Sequence, residues 1–304
     1  MAAIAKTVVA TGASSGLGFE AIKQLLAQKA TPYKFILGAR DVNRTTAAYD
    51  SLLESTSDNW KSRHDLTVLP LELSDLKATR TFAQRTLDQL DKKNLKLDYL
   101  FLNAGITDGT EQEEKGKGPG GSKWCESLVV NHLSQHYLIH LLKDKLVESK
   151  ARIVVVSSGA VRRVQDTTVL DEHLKAGSGV SGMDIYCETK FVQLLGAHWW
   201  RRQLAGQCTV VAVSPGLIPD TGIGRGSGMK LTMDMPDAKS VPEGAASLLR
   251  AFTRDDIPED PERIFLTSWG EWWSKDVYAN SLDKALQDKW CPSKDEIERE
   301  EGLL

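Results

Sequence analysis

Two rhythms of hydrophobic and polar positions alternate along the chain. Short apolar runs, many with β-branched residues, fall at 6–11, 33–38, 66–71, 97–102, 152–156, 209–213 and 263–267. Each reads as a strand. The run 97–102 is apolar nearly throughout, the kind of strand buried on both faces of a parallel sheet. After the first run, Phe19, Ile22, Leu25 and Leu26 recur at helical spacing. Further helices are expected at 42–55, from a cap at Ser74-Asp75 to about 90, and at 124–148, 184–204 and 241–252. Strand and helix in strict alternation predict an α/β fold with a doubly wound, mostly parallel sheet.

Three stretches lack a period. Residues 106–123 carry Gly109, Gly116, Gly118, Gly120 and Gly121, and read either as a surface excursion or as a flap beside the site. Residues 159–183 read as an insertion. Residues 217–236, with Met229, Met233 and Met235, have the look of an adaptable apolar lid. The C-terminal stretch is Trp-rich, then charged and helical. No repeat, low-complexity tract or linker divides residues 1–304, so one domain is expected.

A net charge of -3 gives no general reason to expect nucleic acid or an anionic membrane surface as partner. No apolar run approaches the ~20 residues of a membrane span, and the first residues do not read as a signal peptide. Cys125, Cys187, Cys208 and Cys291 have no CxxC spacing. They are expected to be free thiols in a reducing, cytoplasmic setting.

The candidate chemistry starts where the first strand stops. Gly12, Gly16 and Gly18, with Ser14, Ser15 and Leu17 between them, join strand to helix. Unpaired N–H groups and the helix dipole at such a turn favour a pyrophosphate, and glycine lets the backbone approach it. The second strand ends at Arg40, 22 residues after Gly18. An acidic residue there would suit the ribose hydroxyl of NAD, and an arginine suits the 2′-phosphate of NADP. Arg40 therefore favours NADP (NADPH) over NAD, although Asp41 follows. Asn131, Ser158, Tyr186 and Lys190 fall where strands end or helices begin on the same side. Tyr186 and Lys190 are four apart on one helix, so an ammonium there would lower the tyrosine pKa and ready it for proton transfer to a carbonyl or alcohol oxygen. Singly, each has a bland reading as a packed phenol, a snorkelling lysine or a turn serine. Their conjunction after the glycine loop is the informative pattern.

That conjunction resembles the short-chain dehydrogenase/reductase family over nearly the whole chain. The motifs stand here as Thr11-Gly-Ala-Ser-Ser-Gly-Leu-Gly18, Asn103-Ala104-Gly105, Asn131, Ser157-Ser158, Tyr186-Cys-Glu-Thr-Lys190 and Pro215-Gly216. The resemblance implies a Rossmann-type, three-layer α/β/α fold with seven strands in order 3-2-1-4-5-6-7. It implies that Tyr186 is the acid/base, that Ser158 positions substrate and that Lys190 binds ribose and lowers the tyrosine pKa. Asn131 would support a water-linked proton relay through Lys190. Asn103, Ala104 and Gly105 would line the cofactor cleft, with Pro215, Gly216, Leu217 and Ile218 by the nicotinamide and Glu72 and Leu73 by the adenine. Val130-Asn131-His132-Leu133 and Tyr186-Cys187 resemble the retinol dehydrogenase branch; Pro215 to Gly222 resembles protochlorophyllide reductases. Both imply NADP(H) and a bulky, apolar carbonyl or alcohol substrate. A homodimer on the helices around Asn131 and Tyr186 is common in the family, and the insertions at 106–123 and 159–183 could block it.

The chain departs from the family pattern in places. Glu72 stands where an aspartate is usual. Ser158 and Tyr186 are 28 apart, so 159–183 is expected to shape the pocket. Asp220 holds the place of the family threonine and Thr221 follows it, leaving the carboxamide contact open. His132, His136 and His140 share a helix face that could bind metal, but no acidic or cysteine partner is evident and no metal is expected. One of Trp199 and Trp200 should be core and the other a dimer or lid contact. Trp269, Trp272 and Trp273 either close the substrate pocket or pack the sheet edge. The competing reading from another class is a protein of this fold that binds NADP(H) as a scaffold, or catalyses a non-redox cyclisation or isomerisation. A cofactor that binds without changing oxidation state would favour it.

Overall fold

The computed structural model describes residues 4–55, 60–219, 221–224 and 231–304. Seven strands, β1 (Lys6–Thr11), β2 (Tyr33–Ala39), β3 (Asp65–Pro70), β4 (Tyr99–Leu102), β5 (Arg152–Val156), β6 (Thr209–Val213) and β7 (Phe265–Leu266), form one parallel sheet. Their order is β3-β2-β1-β4-β5-β6-β7. The helices are α1 (Gly16–Leu26), α2 (Val42–Ser55), α3 (Trp60–Arg63), α4 (Leu76–Lys92), α5 (Glu126–Leu128), α6 (Ser134–Ser149), α7 (Leu170–His173), α8 (Gly182–Gln203), α9 (Val241–Thr253), α10 (Lys284–Trp290) and α11 (Lys294–Glu300).

Successive side chains of a strand face opposite ways, and the strands feed two apolar layers. Val8, Ala10, Val154 and Val156 pack with Ile22, Leu25, Leu248 and Phe252 of α1 and α9. Val9, Leu100, Ile153 and Val155 pack with Phe82, Leu142, Leu194 and Trp200 of α4, α6 and α8. The expected fold is the observed one.

The differences lie outside the strands. The helix expected at 124–148 is three pieces: α5, a π-helical turn at Val129–Leu133, and α6. The stretch 159–183 contains a 3-10 turn at Gly159–Arg163 and the short α7. It also pairs with 106–123: Thr110 N–H bonds Val180 O, Gly116 N–H bonds Ala176 O, and Ala176 N–H bonds Lys123 O. The two aperiodic stretches are thus joined by main-chain hydrogen bonds, an order that a hydrophobic count does not register. Asp220 and Met229 lie outside the described residues.

Candidate active site

The carboxyl ends of β1, β2, β4, β5 and β6 open into a cleft of about 910 Å³, near the top of the ~300–1,000 Å³ usual for small-molecule sites. Its floor is built on glycine. Gly12 has φ +64°, and a Cβ there would lie 2.6 Å from Ala104 Cα. A Cβ on Gly18 would lie 2.1 Å from Gly12 O, so Gly18 lets α1 seat against the loop without itself lining the cleft. Ser15 precedes α1 with no side-chain cap, so the first turn keeps N–H groups for an anion. Ser14, Ser15, Gly16 and Leu17 line this end. Tyr49 O–H supports the loop from α2 by donating to Ala13 O at 2.7 Å.

Thr11 ties β1 to β4. Its hydroxyl accepts from the N–H groups of Asn103 and Ala104, each at 3.2 Å, and donates to Gln135 Oε1 at 3.1 Å. Asn103 Nδ2 donates to Gly12 O at 2.8 Å. Asn103, Ala104 and Gly105 line the cleft between the loop and α8. Arg40, Glu72 and Leu73 line it beside β2 and β3, with Glu126, whose carboxyl is pushed up by burial and by Asp108, Glu72 and Glu113.

On the far wall, Ser158 ends β5 and its Oγ accepts from Ala160 N–H at 3.1 Å. Ser158 also hydrogen-bonds Tyr186 of α8. Lys190, one turn on, is buried with its Nζ donating to Val156 O at 2.9 Å and Gln193 Oε1 at 3.0 Å. That Nζ lies 6.0 Å from the Tyr186 ring centre. Pro215, Gly216, Leu217, Ile218 and Thr221 close the cleft after β6. Thr221 stands against the glycine loop: a Cβ on Gly16 would meet its methyl at 3.7 Å.

The profile described as short chain dehydrogenase matches residues 6–169. The chain belongs to the short-chain dehydrogenase/reductase family. A short-chain dehydrogenase/reductase of Pestalotiopsis microspora is 56% identical over 300 residues, covering 98% of this chain and 99% of that one. Retinol dehydrogenase 11 of Homo sapiens is 31% identical over 225 residues, 70% of this chain and 61% of the relative. Among solved structures, an NADPH-bound carbonyl reductase from chicken fatty liver superposes with a TM-score of 0.66 at 19% identity, over 90% of this chain and 95% of that one. The chain is thus an oxidoreductase by family, and retinol dehydrogenases stand among its relatives.

Within this short-chain dehydrogenase/reductase frame, Asn131, Tyr186 and the methionines have surroundings that the sequence alone did not show. Asn131 does not line the cleft. It sits fully buried in the π turn, accepting from Ile106 N–H at 2.8 Å and donating to Ile106 O and Thr189 Oγ1, each at 2.9 Å. A side chain added at Gly105 would meet Asn131 Oδ1 at 3.4 Å and Lys190 Nζ at 3.3 Å, so the two residues flank that glycine. Tyr186 is not acidified: burial pushes its hydroxyl up, the Ser158 bond pulls it down less, and burial pushes Lys190 down to about 7. Lys190 is not among the groups that lower the tyrosine, and burial disfavours its own charge. Met233 and Met235 do not line the cleft, whereas Leu231 and Pro236 do.

Other conspicuous residues sort by burial. Trp200 is core and Trp199 half-buried. Trp273 lines the cleft, Trp272 packs against the α1/α9 layer and Trp269 is exposed. Ring or thiol atoms of His132, His136 and Cys291 lie within 4.8 Å of one another. Both His136 nitrogens are engaged, however, Nδ1 accepting from Trp200 N–H at 2.9 Å and Nε2 donating to Pro292 O at 2.9 Å. The sequence reading missed Gln135, Tyr49, Arg162 and Arg163. Only the two arginines carried a signal, as adjacent cations just after a candidate catalytic serine.

Proposed function

We propose that the chain is an NADP-dependent reductase or dehydrogenase interconverting a ketone or aldehyde with an alcohol on a bulky, largely apolar small molecule. The observation that carries the reading is convergence: Ser158, Tyr186 and Lys190 line the same cleft as the glycine loop and Arg40. The cradle fits a dinucleotide, because Gly12 and Gly18 let the loop pack closely against Ala104 and α1, and the α1 N-terminus has no side-chain cap. Gly12, Ser14, Ser15, Gly16 and Leu17 would hold the pyrophosphate, and Arg40 the 2′-phosphate. Glu72 and Leu73 would face the adenine, and Asn103, Ala104 and Gly105 the middle of the dinucleotide. Pro215, Gly216, Ile218 and Thr221 would hold the carboxamide end, and Lys190 the ribose. The bound cofactor supplies or accepts hydride.

Tyr186 would give its proton to the carbonyl oxygen, its raised pKa keeping that proton in place at neutral pH. Ser158 would hold the same oxygen by a second hydrogen bond. Asn131 would act at one remove, fixing Ile106 and the wall beside Lys190. The four cysteines are unpaired and buried, which supports a reducing, cytoplasmic location. Residues 1–304 would act as one unit, since a single sheet spans β1 to β7.

The test is titration with NADPH and NADH, read by energy transfer from the tryptophans, followed by a carbonyl panel. NADPH binds more tightly than NADH, and Arg40→Asp removes most of that difference because a guanidinium–phosphate pair is charge-assisted. Tyr186→Phe leaves NADPH binding nearly intact and lowers turnover by about 10²–10⁴-fold. Failure to bind either cofactor at millimolar levels, or full activity in Tyr186→Phe, overturns the proposal.

A further inference from the structure

The wall after Ser158 carries two arginines, Arg162 and Arg163, solvent-exposed at the cleft. Arg162 Nε donates to Gly159 O at 3.0 Å, and its guanidinium lies 5.0 Å from the Trp273 ring centre. A Cβ at Gly159 would meet Arg162 Nη2 at 3.4 Å and Trp273 Cζ2 at 3.7 Å, so guanidinium and indole meet over the residue next to Ser158. Trp273 is 8% exposed and its indole nitrogen has no hydrogen-bond acceptor. That nitrogen shares its ring carbon with Cζ2, the atom turned to Gly159. Among the described residues no carboxylate pairs with Arg162 or Arg163, although both line the cleft.

These cations are far from the Arg40 end. Between β2 and β5 stand β1 and β4, three strand spacings of about 4.8 Å, or roughly 14 Å. Glu126, pushed up by burial and by Asp108 and Glu72, also feels Arg40 at the opposite end. Asp237, at the Arg162 end, is occupied by Ser268 Oγ at 2.5 Å and Lys239 Nζ at 3.7 Å. Met183, Leu217 and Ile223 supply apolar surface to the cleft.

We infer that Arg162, Arg163 and Trp273 form a substrate subsite for a flat aromatic compound bearing a carboxylate. The aromatic body lies against the apolar walls, and the anion takes the free N–H groups of the arginines, a planar and directional match. This rests on the carbonyl–alcohol reading for the identity of the cleft as a substrate site, and the test separates the two.

The test is calorimetric titration with naphthoate and with its neutral isostere naphthamide, in the presence of NADPH. Naphthoate binds about tenfold or more tightly, as charge-assisted hydrogen bonds require. In Arg162→Gln/Arg163→Gln the preference disappears while naphthamide affinity stays unchanged, which also shows that the variant is folded. Equal affinities in the wild type, or a preference that survives the double variant, overturn the subsite. An intact preference in a protein that reduces no carbonyl supports the subsite and overturns the redox reading.

Discussion

Lys190 brings an amine into the interior, where its Nζ donates to Val156 O and Gln193 Oε1, and burial lowers its pKa from 10.5 to about 7. Because the pKa is depressed, the positive charge is present below about pH 7 and is lost as pH rises through that value, not near pH 10. If Lys190 meets the anionic cofactor, the cofactor-free protein binds NADPH more weakly as pH rises. The dissociation constant increases towards tenfold per unit above pH 7, and binding takes up a proton. A dissociation constant flat from about pH 6 to 9 would remove Lys190 from binding. Asn131 acts differently. Asn131→Ala leaves the Ile106 N–H and C=O without partners in a buried turn, a loss of about 1–3 kcal/mol that urea unfolding would register. Lys190 was legible as a candidate from its spacing to Tyr186, and Asn131 from the family resemblance. Their partners were not: Ile106 and Val156 contribute main-chain atoms, which look the same in every sequence.

The elements that positional patterns do reveal are those whose partners are apolar. The strands and α1, α2, α4, α8 and α9 follow the hydrophobic periods to within a few residues, because burying a stripe leaves a stripe in the sequence. The π turn at Val129–Leu133 leaves no such trace, since an extra residue in one turn hardly disturbs the apolar count on either side. His132, His136 and His140 show the same limit. Their spacing marks a common face, and what meets it is polar main chain: Trp290 O accepts from His132 at 2.7 Å, and Pro292 O from His136 at 2.9 Å and His140 at 3.2 Å. Burial lowers His132 and His140 to about 4 and His136 well below the usual value. A histidine neutral in the fold and ordinary in the unfolded chain makes the unfolded state bind more protons between its two pKa values. Stability is therefore intact above about pH 6.5 and falls as pH drops towards 4, by about 1.4 kcal/mol per unit for each histidine while it titrates. The segment from α10 onward should detach before the sheet melts, so Trp290 emission shifts red between pH 6 and 4.5, ahead of the far-ultraviolet signal. Coincident transitions would show that α6 and the C-terminal segment unfold as one.

At the scale of the whole molecule, that C-terminal segment decides which helix faces are left for a partner. The 3-10 stretch Lys275–Leu282, α10 and α11 lie over α6 and α8. Ile297 and Leu303 join Tyr137, Val129 and Leu133 in a separate apolar cluster, and Tyr137 O–H donates to Glu298 at 2.6 Å. His198 stacks on Tyr278 at 5.5 Å, and Arg202 Nε donates to Gln287 at 2.8 Å. The sequence nominates the insertions at 106–123 and 159–183 for blocking a dimer, yet residues after 274 do the covering. The large hydrophobics exposed among the described residues, Ile4, Met233, Trp269 and Leu304, are separated along the chain and belong to neither α6 nor α8. A stable dimer buries about 800 Å² per partner around an apolar centre, and these helices have already spent that surface inside their own chain. The protein should therefore sediment as a 33.5 kDa monomer at micromolar concentration, with or without NADPH. A concentration-independent dimer would mean that association uses another face, Trp269 being the exposed aromatic to test by Trp269→Ala.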